Sequence, residues 1–230
     1  MPFLPIHDDN PRRWIGTPYV GWSLILSCVI VAIWQAGLTD WQRYQVAYGF
    51  GFTPAVFFEH ARLAPALAAI PPEATTLTTL FLHGGAWHLI GNMLYLYIFG
   101  DNVEDSCGHI RFLVFYLACG VFATLAHGYV NPTSEGPLIG ASGAISGVLG
   151  GYLLLRPKAR ITALLPFFLP VRMPVWAWIG GWFLYQAIAS GGGFGPDNVA
   201  YAAHIGGFVA GVCLIPFLKR REARLFDVSD

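Results

Sequence analysis

Ser142 lies in a small-residue stretch, Gly140-Ala141-Ser142-Gly143, at the start of an apolar segment. Glycines on both sides let the backbone turn tightly and leave the hydroxyl accessible where a helix begins. The free N–H groups and the positive end of that helix would then point towards an oxyanion forming at the hydroxyl. Because a serine in this setting is more often a helix cap or a packing residue, the motif alone does not separate nucleophile from cap.

Two rows of small residues relate Ser142 to a histidine far along the chain. Each row repeats every four residues on one apolar segment: Gly143, Gly147 and Gly151 on the first, and Ala203, Gly207 and Gly211 on the second. Such rows let two membrane helices approach closely. If they meet, His204 and Ser142 lie at similar depth, where the imidazole can take the hydroxyl proton. A buried histidine that donates to a backbone carbonyl is the alternative; the paired rows favour a Ser-His dyad.

His88 and Asn92 form a third group of polar residues in an apolar segment. Their i, i+4 spacing places both side chains on one helix face. Both can donate hydrogen bonds, so together with the Ser142 backbone N–H they could hold the oxygen of a tetrahedral intermediate. An interhelical hydrogen-bond pair is the alternative, and the spacing by itself favours that simpler role.

The elements that must position these residues are membrane helices. Of the 230 residues 55% are hydrophobic and 11% charged, and the mean hydropathy is +0.54. A soluble domain carries about 25% charged residues, so this chain must face lipid. A full span needs about 20 apolar residues, so the second and fourth of six apolar segments are short and must end at a water-filled cavity. The segments are Tyr19–Ala36, Trp87–Gly100, Phe112–Val130, Ser142–Leu155, Pro174–Ser190 and Val199–Leu218.

Six spans place both termini on one side, together with eleven of the thirteen Lys and Arg residues; Arg43 and Arg62 lie on the other side. The positive-inside rule makes the basic side cytoplasmic. The sequence thus predicts a single domain over 1–230, with cytoplasmic ends 1–18 and 219–230 and a membrane core 19–218. The compact form without a cleavable signal suggests a bacterial inner membrane. The aromatic-rich loop Gln35–Gly85 is expected to lie in the outer interface as amphipathic helical pieces.

Several function classes are disfavoured. No Asp, Glu, Lys or Arg lies well inside the predicted spans, whereas an ion-coupled transporter normally needs charged groups there. The net charge is zero and no basic stripe occurs beyond the membrane flanks, so no nucleic acid is expected as a partner. The four cysteines, three in apolar segments and Cys107 in a predicted turn, do not suit a disulfide or metal framework. Without an HExxH motif or a Cys/His cluster, no metal or organic cofactor is implied.

Four blocks of the sequence together resemble the rhomboid intramembrane proteases, in the order that this family shows. They fall on the expected spans, so the resemblance covers essentially the whole six-helix core: Phe81–Met93 (FLHGGAWHLIGNM), Gly100–Glu104 (GDNVE), Gly140–Ile145 (GASGAI) and Ala203–Gly207 (AHIGG). Any one block is only suggestive, but four in order are highly specific. The resemblance implies an all-α polytopic membrane protein, with six transmembrane helices in a rhomboid-like bundle and a long interfacial loop between the first two.

The resemblance also implies roles for the polar residues. Ser142 would be the nucleophile and His204 the general base, while His88, Asn92 and the Ser142 N–H would line the oxyanion hole. The family works with a Ser-His dyad and no acidic third member. This agrees with the absence of a carboxylate near His204 in sequence, since Asp197 is more simply a loop residue.

Other positions match or depart from the family pattern. His83 matches a histidine before the second span that is taken as structural, and Glu104 matches a structural hydrogen-bonding glutamate. Many relatives carry a Trp-Arg pair where this chain has Ala74 and Thr75. Some place an aromatic residue, stacked on the catalytic imidazole, where this chain has Ser146. These departures concern loop anchoring and the pose of the histidine rather than a catalytic atom.

The resulting prediction is a serine endopeptidase that cleaves single-span membrane proteins within or near the outer part of their transmembrane segment. Its partners would be transmembrane substrates and the lipid bilayer; the sequence does not determine an oligomeric state. A catalytically silent rhomboid-like protein that binds membrane clients is the alternative. A small transporter or channel is less favoured, because charged residues are missing at depth.

Overall fold

Helices and one small sheet make up the computed structural model, which describes residues 4–165, 169–190 and 200–227. Val199 and Asp197, which entered the sequence predictions, lie outside the described residues. In chain order the helices are α1 (Tyr19–Ala36), α2 (Asp40–Phe50), α3 (Pro54–Phe57), α4 (Thr75–Thr78), α5 (Ala86–Cys107), α6 (His109–Val130), α7 (Ser142–Leu155), α8 (Val175–Ser190) and α9 (Tyr201–Leu218). The strands are β1 (Leu4–Asp8), β2 (Arg160–Leu165) and β3 (Leu169–Pro174). Short 3₁₀ turns cover Pro72–Ala74 and Thr79–Phe81.

Helix α5 is longer than the second apolar segment suggested. The predicted bounds were Trp87–Gly100, but the helix runs for 22 residues and ends at Cys107. The cysteine is therefore the buried last residue of a helix and not part of a turn. Gly108, with φ of +83°, ends the helix and is followed directly by α6. Of the two segments predicted to be short, only α7, with 14 residues, is short in the structure.

Two buried carboxylates explain why α5 continues past its apolar part. Glu104 is fully buried and accepts hydrogen bonds from the backbone N–H groups of Val20 (3.0 Å) and Gly21 (2.7 Å). These are first-turn donors of α1 that have no partner within their own helix, and the positive end of α1 favours the negative charge. Asp105 likewise accepts from three consecutive N–H groups, at positions 13–15. Glu104 thus fixes the start of α1, as expected of a structural hydrogen-bonding residue.

A three-stranded antiparallel sheet in the order β1-β2-β3 was not predicted, so the all-α expectation is incomplete. The β2–β3 hairpin connects α7 to α8, and β1 comes from the N-terminal residues. Partners such as His7 and Thr162 lie in opposite halves of the chain. Because a local pattern carries no information about so distant a pairing, these residues looked like a tail and a loop.

Asp8 joins this sheet to the helices. Its carboxylate accepts hydrogen bonds from the Tyr152 hydroxyl (2.6 Å) and from Asn102 Nδ2 (2.9 Å). Burial raises the pKa of the Asp8 carboxyl from 3.8 to about 7, and the nearby Asp101 carboxylate adds to this effect. A group that binds its proton more tightly in the folded state stabilises the fold at low pH.

We therefore expect docking of β1 to weaken as the pH rises from 4 to 7 and to be constant above that. The slope is at most about 1.4 kcal/mol for each pH unit, because the folded state keeps a proton that the unfolded chain has released. Hydrogen exchange of residues 4–8 at pH 5 and pH 8 measures this. In Asp8→Asn the difference between the two pH values should disappear; an unchanged difference would mean that another group titrates.

The two rows of small residues meet, as the sequence predicted. A Cβ added to Gly207 would lie 2.0 Å from the carbonyl oxygen of Gly143, and one added to Gly211 would lie 2.0 Å from that of Gly147. Helices α7 and α9 therefore touch backbone to backbone. A Cβ added to Gly151 would lie 2.9 Å from the Phe115 ring of α6 and 3.5 Å from the Ile215 side chain of α9.

Gly207→Ala should open this crossing, because the added methyl group would meet backbone that cannot move aside alone. We expect a loss of about 1–3 kcal/mol in the free energy of unfolding, measured in detergent by thermal or denaturant unfolding. Gly180→Ala on α8 is the matched control, since an added Cβ there meets nothing within 4 Å. It should be neutral or stabilising by about 0.5–1 kcal/mol; equal losses in both variants would show that the crossing is not tight.

Threonine side chains tie the segment between α1 and α5 to the bundle. Thr78 Oγ1 donates to the carbonyl of Phe50 and Thr79 Oγ1 to that of Leu138, each at 2.5 Å. The backbone N–H of Gly140 in turn donates to the Thr79 carbonyl at 2.9 Å. The loop is therefore fixed to the residues that precede Ser142, although Ala74 and Thr75 stand where the resemblance led us to expect a Trp-Arg pair.

Candidate active site

Ser142 is the first residue of α7, immediately after a turn that requires glycine. Gly140 has φ of +129°, a conformation that residues with a Cβ rarely adopt. No side chain caps the start of α7 among the described residues. The first N–H groups of the helix thus remain available to an incoming group beside the half-buried Ser142.

His204 on α9 contacts Ser142 directly. Its Nε2 lies 2.8 Å from Ser142 Oγ, and the imidazole is buried. The two residues are 62 positions apart in sequence, and the close crossing of α7 and α9 brings them together. At this distance the hydroxyl can donate to the ring nitrogen, which is the geometry needed for proton transfer between a nucleophile and its base.

His88 and Asn92 of α5 face the turn before Ser142. A Cβ added to Gly140 would lie 2.9 Å from His88 Nε2 and 3.9 Å from Asn92 Nδ2. Asn92 is buried, and its Nδ2 has no hydrogen-bond partner among the described residues. His88 is exposed at the same place, so a ligand or water can reach the group. An unpaired buried donor costs stability. Asn92 Nδ2 lies beside the turn that precedes Ser142, so it is available to an oxyanion.

The residues before α5 determine which nitrogen of His88 carries the proton. The backbone N–H of Gly84 donates to His88 Nδ1 at 3.4 Å. A neutral imidazole that accepts at Nδ1 carries its proton on Nε2, the nitrogen next to Gly140. The ring of His83 lies 5.3 Å from that of His88, and burial lowers the pKa of His83 to about 4, so His83 is neutral at pH 7.

The sequence as a whole resembles known proteins. It matches the Rhomboid domain over residues 73–221, which is well over half of the chain. The chain belongs to the rhomboid family. It is accordingly a multi-pass integral membrane protein: among the described residues α1, α6 and α9 are long and apolar enough to cross a membrane, and α7 is a shorter apolar helix.

Individual rhomboid proteins resemble the chain over different lengths. Rhomboid protein 1, mitochondrial, of Saccharomyces cerevisiae is 32% identical over 68% of this chain and 46% of its own length. Rhomboid protease GluP of Bacillus subtilis is 37% identical over 59% of this chain and 24% of its own length. Rhomboid protease GlpG of Salmonella typhi is 27% identical over 89% of this chain and 64% of its own length. The chain therefore spans between about a quarter and two thirds of the length of these relatives.

Two residues of α8 in this rhomboid protein were missed by the sequence reasoning. Gln186 is buried, and its Oε1 lies 2.8 Å from His204 Nδ1. The Trp182 ring lies 6.0 Å from the His204 ring at an interplanar angle of 35°. A signal was present, because Gln186 is the one amide side chain in the apolar segment Pro174–Ser190. Only the packing of α8 on α9 shows which residue it meets.

Proposed function

We propose that this rhomboid protein is an intramembrane serine endopeptidase with a Ser142–His204 dyad. The observation that supports it most is the 2.8 Å contact between His204 Nε2 and Ser142 Oγ. This contact lies at the start of a helix whose first N–H groups are uncapped by side chains of the described residues.

In the proposed reaction His204 Nε2 takes the hydroxyl proton while Ser142 Oγ attacks the scissile carbonyl. The tetrahedral intermediate collapses, the C–N bond breaks, and the leaving amine takes the proton from His204. A water molecule then gives a proton to His204 and attacks the acyl ester. Release of the carboxylic acid product returns the proton to Ser142.

The charge on the tetrahedral oxygen would be held by three donors. These are the Ser142 backbone N–H, His88 Nε2–H and Asn92 Nδ2–H. The Gly84 contact supports a proton on His88 Nε2, and the lack of a partner within the described chain supports a free Asn92 donor. Donors aimed at a developing charge in a site of low polarity stabilise a transition state strongly.

Six spans, α1 and α5 to α9, would cross the membrane, with both termini in the bacterial cytoplasm. In support, Arg13 near the start of the chain pairs with Asp227 near its end at 2.9 Å, and Arg156 after α7 pairs with the same carboxylate. The short α7 would then begin below the outer surface, in a cavity that water can enter. Helices α2 to α4 would lie in the outer interface.

The substrate would be a single-span membrane protein whose helix unwinds near the outer leaflet. A peptide bond inside an intact helix has its carbonyl hydrogen-bonded and shielded by neighbouring side chains. Small residues or helix breakers at the cut site lower the cost of unwinding. This substrate class agrees with the position proposed above for Ser142, below the outer surface.

The first test is incubation of the purified protein, in mild detergent and then in liposomes, with labelled single-span proteins that carry a helix-breaking segment. Mass spectrometry locates the cut, and a fluorophosphonate probe followed by peptide mapping identifies the nucleophile. We expect cleavage near the outer end of the substrate helix and a probe adduct on Ser142. Absence of both in lipid over several substrates would favour a client-binding protein, whereas solute uptake by liposomes free of substrate would favour a transporter.

A further inference from the structure

Gln186 lies against the His204 ring nitrogen that faces away from Ser142. The amide oxygen Oε1 faces Nδ1 at 2.8 Å, and an oxygen can only accept a hydrogen bond. This contact favours the neutral tautomer that carries its proton on Nδ1, which leaves Nε2 with the lone pair that faces Ser142. The opposite tautomer would place a proton against the hydroxyl and leave the dyad without a base.

Trp182 lies beside the same ring. It precedes Gln186 by four residues, so both side chains lie on one face of α8. The Trp182 ring is 6.0 Å from the imidazole and also contacts Phe208 of α9 at 6.4 Å. At Ser146, where some family members place an aromatic ring from α7, the hydroxyl instead donates to the Ser142 carbonyl at 2.6 Å.

We propose that α8 supplies the positioning residues for the base: Gln186 fixes the tautomer of His204, and Trp182 supplies the aromatic contact that Ser146 cannot. This proposal rests on the proposed protease function. Neither residue touches the reacting atoms, so both act through His204. Gln186 thus takes the role that an acidic third residue has in other serine hydrolases. Trp182 takes the role that an aromatic residue of α7 has in some rhomboid proteins.

A merely structural role predicts something different. If Gln186 only satisfied a buried N–H group, its loss would lower stability without changing how activity depends on pH. A positioning role predicts a change in kcat rather than KM, and a shift of the pH–rate profile when the amide becomes a carboxylate. The other imidazoles that interact electrostatically with His204 are His88 of α5 and His127 of α6, and both stay unchanged in the variants.

The experiment compares Gln186→Leu, Gln186→Glu and the control Leu184→Ala, whose side chain is 60% exposed on the same helix. Gln186→Leu should lower kcat about tenfold with KM unchanged, because one neutral hydrogen bond is lost. Gln186→Glu should keep kcat within about threefold, with the acid limb of its pH–rate profile moved to higher pH by roughly one unit, because a carboxylate favours the protonated ring. Leu184→Ala should behave as the unchanged protein in kcat, KM and pH profile.

The variants Trp182→Phe and Trp182→Leu test the role proposed for Trp182. The phenylalanine variant keeps an aromatic ring beside the imidazole and should keep most of the activity, whereas the leucine variant should lose about tenfold in kcat. Equal activity of these two variants would overturn the role of the ring. Thermal unfolding of each variant separates loss of activity from loss of fold.

A readout independent of substrate separates this proposal from the proposed function. The ¹⁵N shifts of His204, assigned by difference from His204→Gln, report the protonated nitrogen in the intact protein. Nδ1–H in the unchanged protein and a mixture of tautomers in Gln186→Leu support the positioning role. Nε2–H in the unchanged protein, or no difference between the two, overturns it even if cleavage is observed. An inactive protein with Nδ1–H would overturn only the protease function.

Discussion

Replacement of Ser142 by alanine should abolish cleavage, with kcat lower by about a million-fold, while the protein stays folded. The expected loss is this large because a dyad acts as a unit, and removing either member removes nearly all of its contribution. For the same reason His204→Ala should cost about as much, and the double variant should be no worse than either single one. Cleavage of a labelled single-span protein, followed over hours to days in liposomes, measures all three.

Ser146→Ala is the matched control. It removes a buried hydroxyl one helical turn away, which donates to the Ser142 carbonyl and has no part in the proposed chemistry. Its kcat should stay within about tenfold of the unchanged protein. The free energy of unfolding of Ser142→Ala should fall by no more than about 1–3 kcal/mol, because the buried His204 Nε2 loses its hydroxyl partner. Activity that survives Ser142→Ala, or losses that add in the double variant, would contradict the dyad.

Asn92→Ala should lower kcat by about 100-fold to 1,000-fold with little change in KM. The amide donor would act only when charge develops on the substrate oxygen, so its removal destabilises the transition state and not the bound substrate. Steady-state kinetics in detergent with one substrate over a range of concentrations measures kcat and KM separately. His88→Ala should have an effect of similar size, because the two donors approach the same place near Gly140.

Asn131→Ala serves as the control for the amide. Its Nδ2 donates to the His127 carbonyl at the end of α6, where the only expected effect is on local stability. The oxyanion assignment would be wrong if Asn92→Ala raised KM and left kcat unchanged. In that case Asn92 would bind substrate and transition state equally. Asn92→Ala should also raise stability or leave it unchanged, because Asn92 Nδ2 has no partner within the described residues.

The sequence alone predicted much of the candidate site. Ser142, His204, His88 and Asn92 could be proposed because polar residues are rare in apolar segments and each needs a reason to be there. The small-residue rows on two segments predicted a close crossing of α7 and α9, since only residues without bulky side chains allow backbones to touch. Hydropathy indicated the main helices of the bundle. The four sequence blocks occur in the order that the rhomboid family shows.

Only the tertiary structure decided the features that depend on residues far apart in the chain. The extension of α5 to Cys107 depends on backbone N–H groups near the start of α1 that donate hydrogen bonds to the Glu104 and Asp105 carboxylates. No local sequence pattern predicts such partners. The β1–β2 pairing joins opposite halves of the chain. Gln186 was visible as an unusual amide, yet its meeting with His204 required the packing of α8 on α9. Periodicity along a chain indicates which face is buried, but the partner of a buried polar atom is fixed by three-dimensional packing.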